Sequence, residues 1–158
     1  MSLLDIDEAL IDLLQMADIV YGPLVDIKEF PKDVDVTLVE GAVSSNEDLE
    51  KAEILRERSK FVIAFGDCAV TANVPGMRNK YTTGEILDRA YVENANLQPQ
   101  RPCENLPTLL AQARPLGSVI KVDFHMPGCP PTPEVILQSV SELLAGRTPK
   151  ITPQYRFG

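Results

Sequence analysis

The sequence predicts an α/β domain built on a mostly parallel sheet. Val34–Glu40, Phe61–Phe65 and Ser118–Asp123 are apolar or β-branched runs, the composition of strands buried on both faces. Amphipathic segments with capping signals stand at 45–59 and 132–146, between and after those runs. Buried strands that alternate with helical crossovers pair in parallel.

The elements follow in order. Ser2 and Asp5 form an S-x-x-D capping box, and Leu3, Ile6, Leu10 and Leu13 recur at helical spacing, so a first helix is expected to end near Met16. Ala17–Tyr21 reads as a short strand closed by Gly22-Pro23. After the strand Val34–Glu40, Ser45-x-x-Asp48 caps a helix reaching about Ser59, with Leu49, Ala52 and Leu55 on one face. Phe61–Phe65 is a fully buried strand ended by Gly66. Ala69–Lys80, with Asn73, Pro75, Gly76 and Asn79, suggests a broken helix or structured loop. Thr83–Val92 reads as one short helix, Gln98–Pro102 as a surface loop, and Leu106–Ala113 as a helix started at Pro107. Ser118–Asp123 is the next strand. Thr132 and Pro133 then open a helix with Ile136, Val140, Leu143 and Leu144 inward and Gly146 as its stop. The tail to Gly158 is polar and expected on a surface. The chain opens on a helix, whereas a flavodoxin-like, doubly wound parallel sheet opens on a strand. The expectation is a single such domain over residues 1–158 without its first strand.

Composition narrows the function. A chain of 158 residues, 44% hydrophobic and 24% charged, suits one core. No apolar run approaches the ~20 residues of a membrane span, and the first residues lack a basic leader, so the cytoplasm is expected. Fifteen basic against 23 acidic residues leave a net charge of −8, which repels a phosphate backbone and argues against nucleic-acid partners. Three cysteines, an odd number, argue against a disulfide framework. G-x-G-x-x-G, P-loop, G-x-S-x-G and C-x-x-C motifs are all missing, which removes support for nucleotide binding by those loops, serine hydrolysis and zinc-type sites.

Ligands of open parallel sheets bind beyond the carboxyl ends of the strands. Glu40-Gly41-Ala42, Gly66-Asp67-Cys68-Ala69 and Phe124-His125-Met126-Pro127-Gly128-Cys129-Pro130-Pro131 follow the three strands. Cys68 and Cys129 therefore converge on one edge of the sheet. Each has a plain reading, a small buried hydrophobe for Cys68 and a structural turn for Cys129. Yet prolines stiffen the turn around Cys129 and Gly128 permits an unusual dihedral, so that one thiolate and an adjacent N–H are presented rigidly, as an iron–sulfur site requires. Cys103, in a loop that ends no strand, reads as incidental. His125, the single histidine, suits metal or proton chemistry, with loop packing as the plainer alternative. Glu40 is a strand-end carboxylate, either simply solvated or a proton relay at an interface.

Four segments together carry a resemblance to a known family. Leu4-Asp5-Ile6-Asp7-Glu8, Val39-Glu40-Gly41-Ala42, Gly66-Asp67-Cys68-Ala69-Val70-Thr71-Ala72-Asn73-Val74-Pro75-Gly76-Met77-Arg78-Asn79 and Met126-Pro127-Gly128-Cys129-Pro130-Pro131 closely resemble the small subunit of nickel–iron hydrogenases. The match is best to the soluble, NAD-linked bidirectional branch. The Pro-Gly-Cys-Pro-Pro turn is shared more distantly with the cluster-bearing subunit of respiratory complex I.

The resemblance implies a flavodoxin-like domain holding a proximal 4Fe–4S cluster. It implies Cys68 and Cys129 as two of four cluster ligands, the other two coming in the family from a cysteine loop after the first strand. It implies a proton-transfer role for Glu40 at the interface with a nickel–iron large subunit. The further partners implied are flavin/iron–sulfur diaphorase subunits that reach NAD, with FMN elsewhere in the complex. Met1-Ser2-Leu3-Leu4-Asp5 matches the family segment just after the cysteine loop, so that loop is expected to be missing. Two other readings stand beside this one: a complex I-like, quinone-linked subunit, and a metal-free flavodoxin-like binding module.

Overall fold

A computed structural model of the chain describes residues 6–23, 25–150, 152 and 155–157. Its main sheet has three parallel strands, β1 (Val34–Glu40), β3 (Ser59–Phe65) and β5 (Phe124–Met126), in the order β1-β3-β5. A second, antiparallel pair joins β2 (Val43–Ser45) to β4 (Leu109–Arg114). The helices are α1 (Ala9–Met16), α2 (Asn46–Arg58), α3 (Asp67–Thr71), α4 (Asn73–Gly76), α5 (Thr83–Asp88) and α6 (Pro133–Leu144).

The central strand β3 explains the architecture. Side chains alternate across a strand. Ile63 and Phe65 enter one core with Leu13 of α1 and Val135 and Ile136 of α6. Val62 and Ala64 enter a second core with Val43, Ala52 of α2, Ala69 of α3 and Leu116. Both faces are covered by helices, so the sheet is doubly wound, and β3 is apolar throughout its buried half for that reason. The polar pair Thr37 and Ser59, buried between β1 and β3, share a hydrogen bond of 2.6 Å.

The α2 cap behaves as the sequence indicates, whereas Thr132 at the start of α6 makes no side-chain cap hydrogen bond. Ser45 and Asp48 close a full capping box at α2. Burial opposes ionisation of Asp48, but hydrogen bonds from Ser44 and Ser45 outweigh it and hold its pKa below the usual carboxylate value. Thr82 and Glu85 close a second capping box, at α5, that the sequence reading does not single out. Pro133 stands at the first position of α6, and Gly146, at φ +71°, ends it by donating to Leu143 O. The Ser2–Asp5 box lies outside the described residues.

Several expectations are corrected. Ala17–Tyr21 is not a strand: Ile19, Val20 and Tyr21 are exposed, no strand among the described residues pairs with them, and Tyr21 instead packs edge-on against Phe30. Leu106–Ala113 is not a helix: β4 occupies most of it, because side chains of other segments bind its backbone. Asn79 both donates to Ala113 O and accepts from Ala113 N–H, and Arg78 donates to Leu110 O. Tertiary bonds of this kind override the helix propensity of Leu-Leu-Ala-Gln-Ala. Ser118–Asp123 is not a strand either. A 3₁₀ turn spans Leu116–Ser118, Val119, Ile120 and Val122 pack on the second core as irregular chain, and the strand starts one residue beyond Asp123. Thr83–Val92 divides into α5 and a π-helical turn, Arg89–Glu93. Ala69–Lys80 is broken, with Ala72 in the left-handed region between α3 and α4 and a 3₁₀ segment at Met77–Lys80. Leu144 is exposed rather than inward. The tail is not merely superficial: Tyr155 packs edge-on against Phe124, and its hydroxyl meets Ser139 Oγ at 2.6 Å.

Candidate functional site

Strand register sets the site. Glu40 lies opposite Phe65, and Phe65 opposite Met126, so the three parallel strands end level with one another. Cys68 is three residues beyond Phe65 and Cys129 three residues beyond Met126. Neighbouring strands lie ~5 Å apart, and the two cysteine segments leave adjacent strands at the same level.

Backbone bonds continue the pairing past the strands. Gly66 N–H donates to Met126 O at 2.8 Å, and Asp67 N–H to Gly128 O at 2.8 Å. The Asp67 carboxylate accepts from Gly128 N–H at 2.6 Å. Asp67 is only 3% exposed. A reciprocal pair of hydrogen bonds therefore ties the residue before Cys68 to the residue before Cys129. The glycines are required here. Gly128 sits at φ +140°, where a Cβ would lie 2.5 Å from Pro131 Cα. Gly66 sits at φ +80° with Gly128 O 3.4 Å from its would-be Cβ. The Cys129-Pro130 peptide is cis.

Cys68 is half-buried at the start of α3, which packs on β1, β3 and β5. Cys129 is exposed in the turn after β5. Glu40 is exposed at the end of β1. Cys103 is exposed in the loop before β4, and it follows no strand directly. His125 lies within β5, exposed on the opposite face from the buried Phe124 and Met126, its Nε2 3.1 Å from where a Gly117 Cβ would stand.

Among the described residues, no three His, Cys, Asp or Glu side chains converge to hold a metal ion. The chemistry of the donors fits half of an iron–sulfur ligand set: two free thiols on tied, strand-end loops.

Two features were missed from sequence. Asp67 was legible only as the polar residue between Gly66 and Cys68. Asp123 was read as the end of a strand, yet its carboxylate accepts from Val62 N–H and from Arg56 Nη1, pinning β3 beside β5. Burial opposes its ionisation, but the Arg56 and Val62 hydrogen bonds prevail and hold its pKa below the usual value.

The fold is a doubly wound α/β domain with two cysteines on adjacent strand-end loops, and comparisons with known proteins place the chain more closely. Residues 1–143 match the family described as NADH ubiquinone oxidoreductase, 20 Kd subunit, and the chain belongs to that family. It is 40% identical over 152 residues to one subunit of the F420-non-reducing hydrogenase vhu of Methanocaldococcus jannaschii, covering 95% of this chain and 53% of that protein. It is 36% identical over 152 residues to the delta subunit of the NAD-reducing hydrogenase HoxS of Cupriavidus necator, covering 93% and 73%. A crystal structure of an NAD+-reducing NiFe hydrogenase in its H2-reduced state contains a chain that superposes with a TM-score of 0.94 at 32% identity, over 99% of this chain and 90% of that one. The chain spans about half the length of the first of these relatives.

Proposed function

We propose that this chain is the electron-transfer small subunit of a cytoplasmic, NAD-linked nickel–iron hydrogenase. It would relay electrons between a nickel–iron large subunit and a flavin/iron–sulfur diaphorase module. The observation that carries the reading is the pair of strand-end loops bearing Cys68 and Cys129, tied through Asp67 and Gly128. The close superposition on a chain of an NAD+-reducing hydrogenase supports it.

In this reading Cys68 and Cys129 would supply two of the thiolates that hold a proximal 4Fe–4S cluster, which would provide one-electron transfer. Glu40, at the end of β1 on the same edge of the sheet, holds and releases a proton at the large-subunit interface. Val74 and Met77, exposed in the segment after Cys68, form part of the apolar surface that the large subunit covers. The family description favours one alternative, a quinone-linked subunit.

Anaerobic purification with candidate partners, followed by iron, sulfide and activity measurement, tests the proposal. Hydrogen-dependent NAD reduction with iron lost in Cys68→Ser supports it. Quinone reduction without hydrogen uptake supports the alternative, and metal-free material that retains its partners contradicts both.

A further inference from the structure

We infer that Asp67 is the positioning residue that sets the spacing of the two cysteine loops. The inference rests on the site reading above and assigns a part to a residue that is neither a ligand nor a proton carrier in it. Past the ends of β3 and β5, they are joined by the Gly66–Met126 bond and by the reciprocal pair between Asp67 and Gly128. Of these, the contact from Asp67 Oδ1 is the one made by a side chain, and so the one a substitution can remove. It acts one residue before Cys129, where Gly128 adopts a dihedral that other residues rarely take. Gly128 is itself buried, so its N–H has no ready access to water as a substitute acceptor. Without the carboxylate oxygen, the turn would have to move to find a partner, carrying Cys129 away from Cys68. An amide oxygen at the same place would serve equally, since what Gly128 needs is an acceptor.

The loop spacing can be read without any cluster. In the full chain, reduced, chelator-treated and carrying Cys103→Ser, dibromobimane bridges two thiols only when both are within its short reach. Each thiolate displaces one bromide, and the doubly alkylated product fluoresces. The parent should cross-link Cys68 to Cys129, Asp67→Asn should match it, and Asp67→Ala should cross-link about tenfold more slowly, the population shift that one unmet buried hydrogen bond produces. Circular dichroism establishes that each variant is folded. Asp67→Ala cross-linking like the parent, or Asp67→Asn falling with it, overturns the inference while leaving the site reading intact. A folded parent that does not cross-link overturns the site reading instead. If Asp67→Ala does not fold, amide exchange at Gly128 decides: equal protection in the parent and Asp67→Asn supports the inference, and fast exchange in either overturns it.

Discussion

Single residues at the strand ends do two kinds of work here: some carry chemistry and others hold backbone in place. Gly128 belongs to the second kind. Gly128→Ala must move Pro131 or abandon its dihedral, and an equilibrium urea titration should show a loss of about 2 kcal/mol or more. Asp123 is of the same kind. Asp123→Ala leaves the N–H of the fully buried Val62 without its acceptor, an expected cost of about 1–3 kcal/mol. The acid response follows from the direction of its shift. Its folded-state pKa is lowered, so its stabilisation is complete above the ordinary carboxylate value of about 4 and is lost as pH falls through the lower folded value. Thermal melts taken below about pH 4 should therefore lose stability less steeply in Asp123→Asn than in the parent. Cys68 and Cys129 were legible in the sequence because cysteine is rare and each followed a strand. Asp67 and Asp123 were not, because an aspartate looks the same whether it caps a loop or faces water.

At the scale of elements, the parts that the sequence revealed are those whose stability is local. The α2 capping box, the apolar run of β3 and the Thr132-Pro133 start of α6 each depend on neighbours a few residues away. Ser45→Ala should cost about 1 kcal/mol by removing the α2 cap, measured by chemical denaturation. The elements misread depend on distant partners. Leu109–Arg114 is a strand because Asn79, Arg78 and β2 bind its backbone, and nothing within Leu-Leu-Ala-Gln-Ala signals this. Asn79→Ala should accordingly loosen β4 specifically, raising amide exchange at Ala113 by more than tenfold while the β3 amides stay protected. Ala17–Tyr21 shows the converse: β-branched residues alone do not make a strand where none of the strands among the described residues offers hydrogen bonds.

For the whole molecule, the doubly wound parallel sheet brings Glu40, Cys68 and Cys129 to one end of adjacent strands, which is where open α/β sheets bind their ligands. That much followed from strand order and the place of each cysteine. The tie between the loops did not, since it joins an aspartate and a glycine that are distant in sequence. Membership of the family described as NADH ubiquinone oxidoreductase, 20 Kd subunit, agrees with the architecture, and the hydrogenase reading turns on whether these two cysteines hold iron. The most direct measurement is the iron and acid-labile sulfide content of the complex purified anaerobically, compared among the parent and Cys68→Ser, Cys129→Ser and Cys103→Ser. The account expects the first two substitutions to lower iron and sulfide together and Cys103→Ser to leave both unchanged. Equal iron in all four preparations, or equal loss in all three variants, would contradict it.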